Sequence, residues 1–177
     1  MVFPQISDFP RIPLGSLSDP GTDRKPLALL TEDRADETTL TELARDLGPR
    51  LLVPEVWRTL LPQAGILISS SISGGTLRDR FREAAAAHPR RCWLLLEPMA
   101  MEFPLPCPSG LGKEITITNY RQQFYSEDLG CMYSHFIRHG RGFMVLWDTE
   151  HTLLKKMELA KYCGFQGYVC TPAAEKF

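Results

Sequence analysis

Short runs that are apolar on both faces alternate with segments of helical periodicity along most of the chain. The runs are Leu27-Ala28-Leu29-Leu30, Leu51-Leu52-Val53, residues 65–70 around Ile66-Leu67-Ile68, Cys92-Trp93-Leu94-Leu95-Leu96, and residues 167–170. Continuous apolarity over three to six residues is the pattern of a parallel strand buried on both sides. Between the runs, Thr39 opens a predicted helix, and Glu42 three residues later completes a capping box. Leu40, Leu43, Ala44 and Leu47 share one face of it, and Gly48 follows its end. Residues 55–61 predict a short helical turn. Residues 76–88 predict a stronger helix, with Leu77, Phe81, Ala84, Ala85 and His88 on one stripe and Pro89 stopping it. A last helix runs from Thr149 or Thr152 to Tyr162, with Leu153, Met157 and Ala160 inward and Gly164 as its stop.

Two segments break this rhythm. Residues 98–128 begin with Pro98, Pro104, Pro106, Pro108, Gly110 and Gly112 and read as irregular. A connection that long is functional or a small inserted subdomain. Residues 132–137 and 142–147 then read as an antiparallel hairpin around Arg138-His139-Gly140-Arg141.

Five parallel-type strands separated by helices place the chain in the α/β class. A complete eightfold barrel takes about 250 residues, about 200 at the short end, and this chain has 177. The predicted architecture is therefore a partial or degenerate TIM-barrel-like parallel sheet with helices outside and an inserted β-hairpin. Residues 1–26 carry five prolines and read as a tail or strap, leaving residues 27–177 as a single α/β domain. A partial barrel leaves apolar sheet edges that call for a second copy or a partner completing the sheet.

Twenty basic against 21 acidic residues give a net charge of -1, which argues against nucleic acid as a partner. The unbroken aliphatic stretches are too short for a membrane span. The start, Met1-Val2-Phe3-Pro4-Gln5, lacks a basic and then apolar leader pattern, so a cytoplasmic location is expected. Cys92, Cys107, Cys131, Cys163 and Cys170 are odd in number and form no CxxC pair, which predicts reduced thiols.

Few patterns carry chemistry. Ser69-Ser70-Ser71-Ile72-Ser73-Gly74-Gly75-Thr76 joins a strand to a helix, but no Lys follows Gly75, so it reads as a plain turn rather than a phosphate loop. Cys131, His135 and His139 are four apart, yet on a strand they spread over about 27 Å, too far for one ion. Cys107 has no identifiable base. No metal and no cofactor are expected. Glu97 and Asp148 each end a predicted strand, where parallel-sheet enzymes keep their chemistry, and form a candidate acid–base pair. Against that, Asp148 or Thr149 would cap the following helix. Aromatic residues crowd the second half, and Trp93 and Trp147 are expected to flank the candidate site.

The order of features over residues 76–172 resembles the last third of a family-18 glycoside hydrolase barrel, in the bacterial branch associated with spore cortex and germination. Met101-Glu102-Phe103-Pro104-Leu105-Pro106 resembles the family's strand leading into an aromatic-rich loop. Tyr133-Ser134-His135-Phe136 through Gly142-Phe143-Met144-Val145-Leu146-Trp147-Asp148 is similar to its Tyr-rich strand, polar turn and Val-Trp strand ending in an acid. Thr152, Lys155, Leu159, Ala160, Gly164 and Gly167 are similar to its penultimate helix and the glycine before the last strand. The family's catalytic DxxDxDxE motif does not occur, and Tyr168-Val169-Cys170-Thr171 stands where a terminal Trp is usual. The resemblance implies an oligosaccharide as ligand, held by Phe103, Tyr133 and Trp147 beside Glu97 and Asp148. Without the motif, it implies a non-catalytic carbohydrate-binding or assembly protein. The alternative is a glycosidase acting on N-acetylglucosamine polymers, with Glu97 as general acid and Asp148 or Glu102 as its partner.

Overall fold

The computed structural model describes residues 9–15, 26–72 and 74–174. Fourteen elements follow in chain order: β1 (Arg11–Ile12), β2 (Leu27–Ala28), α1 (Glu37–Leu47), β3 (Leu51–Pro54), β4 (Gly65–Ser69), α2 (Leu77–Ala87), β5 (Cys92–Leu96), β6 (Ala100–Leu105), β7 (Lys113–Glu114), β8 (Phe124–Ser126), β9 (Cys131–Arg138), β10 (Arg141–Trp147), α3 (Glu150–Tyr162) and β11 (Tyr168–Cys170).

The apolar runs pair as one parallel sheet in the order β1-β11-β5-β4-β3-β2. It nearly closes on itself. Just beyond β1, Leu14 bridges Ala28 of β2 in parallel, and the Gly15 N–H donates to the Ala28 carbonyl at 2.8 Å. The edges that a partial barrel would offer a partner are thus taken up by the chain's own β1. This strand belongs to the Pro-rich N-terminal segment. The rest of that segment, residues 1–8 and 16–25, lies outside the described residues.

Strand alternation sorts the core into two shells. Ile12, Ala28, Leu52, Leu67, Leu95 and Val169, one from each strand, form an inner ring. The intervening residues, such as Leu51, Val53, Ile66, Ile68, Leu94, Leu96 and Tyr168, face outward beneath the helices and pack on Leu40, Leu77, Phe81, Leu153 and Met157. Apolarity on both faces is what each strand needs to serve both shells.

The helix over residues 76–88 forms as predicted, with the Thr76 hydroxyl accepting the Asp79 N–H. The first helix does not start at Thr39. A 3-10 turn capped by Asp33, which accepts the Ala35 N–H, runs directly into α1, so Thr39 already lies inside the helix. The predicted Thr39–Glu42 capping box therefore has no free helix end to cap.

Residues 98–128 are not irregular throughout. They supply β6, β7 and β8, which join the predicted hairpin in a five-stranded antiparallel sheet of order β7-β6-β10-β9-β8. The inserted element is thus a whole sheet rather than a hairpin alone. Its turn is the expected one, with His139 and Gly140 both at positive φ, 50° and 73°, as a two-residue hairpin loop requires. Among the described residues no helix is long and apolar enough to cross a membrane.

Candidate functional site

The inward positions of the barrel continue past its ring at the C-terminal ends of the strands. Leu30 follows Ala28 by two residues, Pro54 follows Leu52, Ser69 follows Leu67, and Glu97 follows Leu95. The same alternation therefore aims all four at the barrel axis. With Glu32, Glu55 and Arg80 they line a mouth of about 340 Å³. Glu97 stands in the wall of a second cleft of about 420 Å³, where Ser71, Ile72, Pro98, Met99, Phe103 and Leu111 are among its neighbours.

The three serines that end and follow β4 fix Glu97 in place. The Ser69 hydroxyl donates to Glu97 Oε2 at 2.6 Å. Ser70 Oγ accepts the Glu97 N–H at 2.9 Å, and the Ser71 hydroxyl donates to the Glu97 carbonyl at 2.7 Å. Main chain and carboxylate are both held, so the half-buried side chain has little freedom. At the mouth, Glu55 is ion-paired with Arg80 and lies 4.0 Å from Arg58.

Asp148 sits elsewhere. It is 3% exposed, and its oxygens are fully engaged. Oδ2 accepts from Lys156 Nζ at 2.8 Å and from the Met99 N–H at 2.9 Å, while Oδ1 accepts from the Thr152 hydroxyl at 2.9 Å. Lys156 is equally buried. The helix cap belongs to Thr149, which forms a reciprocal capping box with Thr152. Asp148 is thus a buried ion and is not among the residues that line the cleft with Glu97.

The aromatic candidates also separate. Phe103 lines the same cleft as Glu97 and packs with Met99, Cys131 and Leu146. Tyr133 stacks on Phe124 at 5.3 Å and faces a different groove, toward Tyr125 and Met144. Trp147 is buried under Tyr120 at 5.4 Å. Leu146 pairs with Tyr133 and Met144 with Phe103, so Trp147 lies on the opposite face of the sheet from both. Glu102 shares that opposite face and pairs with Arg138 at 2.6 Å. Trp93 packs against the inner ring and touches the Gly65 and Gly167 positions, at the strands' N-terminal ends, far from the mouth. Of the predicted residues, Glu97 and Phe103 line one cleft, and Tyr133 packs on the cluster that contains Phe103.

Sequence reasoning missed the Ser69-Ser70-Ser71 brace, although counting two residues on from Leu67 would have found Ser69. Leu111 reaches the cleft from a loop and Glu114 from the two-residue β7, and neither carries a periodic signal. The turn before α2 offers no open anion site at Leu77, whose N–H donates to the Asp128 carbonyl at 2.6 Å. Among the described residues, no cluster of three His, Cys, Asp or Glu side chains could hold a metal ion. Cys92 and Cys131 are buried, and burial pushes their thiols up to about 11 and about 12. Both are therefore protonated and unreactive at neutral pH.

No protein-family model and no curated protein matches the chain. Solved structures do. The spore cortex-lytic enzyme SleL of Bacillus megaterium QM B1551 aligns over 82% of this chain and 45% of its own, at 13% identity and a TM-score of 0.52. SleL of Bacillus cereus aligns over 83% and 44%, at 12% identity and 0.53. A chitinase from Chromobacterium violaceum ATCC 12472 aligns over 82% and 60%, at 11% identity and 0.50. The chain spans less than two thirds of the length of each. At such identities the likeness is one of fold: the chain is structurally similar to family-18 chitinases and spore cortex-lytic enzymes.

Proposed function

We propose that the chain is a non-catalytic saccharide-binding relative of the family-18 hydrolases, taking an N-acetylglucosamine-containing oligosaccharide at the barrel mouth beside Glu97. The observation that carries this reading is the unlike engagement of the two carboxylates. Cleavage by a carboxylate pair needs both groups flanking one bond, about 5–9.5 Å apart. Here Asp148 is spent on Lys156, Thr152 and the Met99 N–H. Glu97 remains, oriented by Ser69, with Oε1 free among the described residues to accept from a sugar hydroxyl or amide. The sequence holds no DxxDxDxE motif to supply a substrate-assisted route.

Chitin and peptidoglycan oligosaccharides titrated by calorimetry, with the mixtures examined by mass spectrometry, test the proposal. Binding without new products is expected. Glu97→Gln should weaken it roughly 10- to 100-fold, the worth of a hydrogen bond to a charged group. New products that vanish in the same variant would instead make Glu97 a general acid. No binding to any of these sugars would overturn the reading.

A further inference from the structure

The cleft of about 420 Å³ on the far side of Glu97 is unlike the mouth. The mouth is set with Glu32, Glu55 and Arg80. Among the described residues, the cleft is walled mainly by Ile72, Pro98, Met99, Met101, Phe103 and Leu111, with two carboxylates, Glu97 and Glu114. Two of its wall residues are methionines, whose flexible thioethers adapt to ring-shaped ligands. The wall is well defined: Gly112 lies so close to Phe103 that a Cβ there would stand 2.7 Å from the ring. Leu111, 77% exposed, also lines the cleft. Among the described residues, Glu97 is the one that both compartments share.

We infer that the cleft binds the apolar arm of an amphipathic glycoside, an aryl or short alkyl group whose sugar sits at the mouth and hydrogen-bonds to Glu97. The inference rests on the saccharide reading for the sugar half of the ligand, and on the cleft alone for the apolar half. A sugar ring offers hydroxyls on every edge and would leave several of them unpaired against this wall. An aryl or alkyl group leaves none. The adjoining compartments thus divide the ligand by polarity.

The test compares phenyl with methyl N-acetyl-β-glucosaminide by calorimetry, and reads the methionine methyl groups by carbon-13 NMR. The phenyl glycoside should bind about tenfold more tightly and shift the Met99 and Met101 methyl resonances. Met157, which packs under the helices in the outer shell, should not shift. Leu111→Ser, a change at an exposed position, should reduce the tenfold difference below threefold. Equal affinities for the two glycosides, or unmoved Met99 and Met101 signals, would overturn the inference. If neither glycoside binds, the saccharide reading fails by itself. Phenol is then the probe: shifts at Met99 and Met101 uphold the apolar site, and their absence overturns it.

Discussion

Asp148 and Lys156 place opposite charges in contact where neither side chain reaches water. Such a pair stabilises little in net terms, because desolvation offsets most of the attraction, but breaking it leaves a bare buried charge. Lys156→Met should therefore destabilise the fold by about 3–5 kcal/mol, read as a lowered urea midpoint. The double variant Lys156→Met with Asp148→Asn should recover part of the loss. The neutral amide would still accept the Met99 N–H and needs no counter-ion. Equal destabilisation by the single and double variants would show that packing, not charge, is what Lys156 supplies. The same geometry explains why Asp148 misleads a reader of the sequence. An acid after a strand and before a helix has the address of a catalytic carboxylate, and nothing linear reveals that a lysine eight residues on turns back to meet it.

At the scale of single elements, α3 depends on its first turn. Thr149 and Thr152 exchange side-chain-to-backbone hydrogen bonds at 3.2 and 2.8 Å. Thr149→Ala should cost about 1 kcal/mol and lower Tm by about 2–4 °C in a chain of this length. An unchanged Tm would mean that tertiary contacts alone hold the helix. Elements of this kind were legible where composition and geometry agree. Leu51-Leu52-Val53, Ile66-Leu67-Ile68 and Trp93-Leu94-Leu95-Leu96 need apolar residues on both faces, and show them. Where local signals compete, legibility fails. Thr39 and Glu42 match a capping box, but Asp33 captures the chain earlier. Pro104 and Pro106 disguise β6, because proline inside a strand argues against one. The two-residue β1 lies between Pro10 and Pro13, and gains its place from pairing with Tyr168 and Val169 rather than from its own sequence. The site follows the same rule. Glu97 was legible at the end of its strand, whereas Phe103 came from the resemblance alone because its strand was hidden, and sorting Tyr133 from Trp147 needed the register of β9 on β10.

For the molecule as a whole, the inner ring makes a two-residue strand consequential. Ile12 supplies one of six ring side chains and is 8% exposed. Ile12→Ala should cost about 2–5 kcal/mol, as core truncations do, measured by equilibrium unfolding. A loss within about 0.5 kcal/mol, the range of surface changes, would reduce β1 to a strap laid on a sheet that closes without it. The ring also accounts for where the chemistry lies. Once its six positions are filled by apolar groups, ligands can meet the barrel only at its ends, and Glu97, two residues beyond Leu95, is the carboxylate that alternation delivers there.

The joint between the two sheets has a topological consequence. The Asp148 N–H donates to the Met99 carbonyl at 2.9 Å, and the Asp148 carboxylate accepts the Met99 N–H, so the chain leaves for the antiparallel sheet and returns from it at one point. Seen from the barrel, everything from Ala100 to Trp147 is a single tight turn. Its length and content are therefore free to change without disturbing closure of the ring, since the entropy of closing a loop grows only slowly with its length. Ring and inserted sheet are open to separate remodelling, provided that the residues at 99 and 148 keep their grip on each other and the sheet keeps its contacts with the barrel helices at Leu77–Asp128 and Lys155–Tyr125.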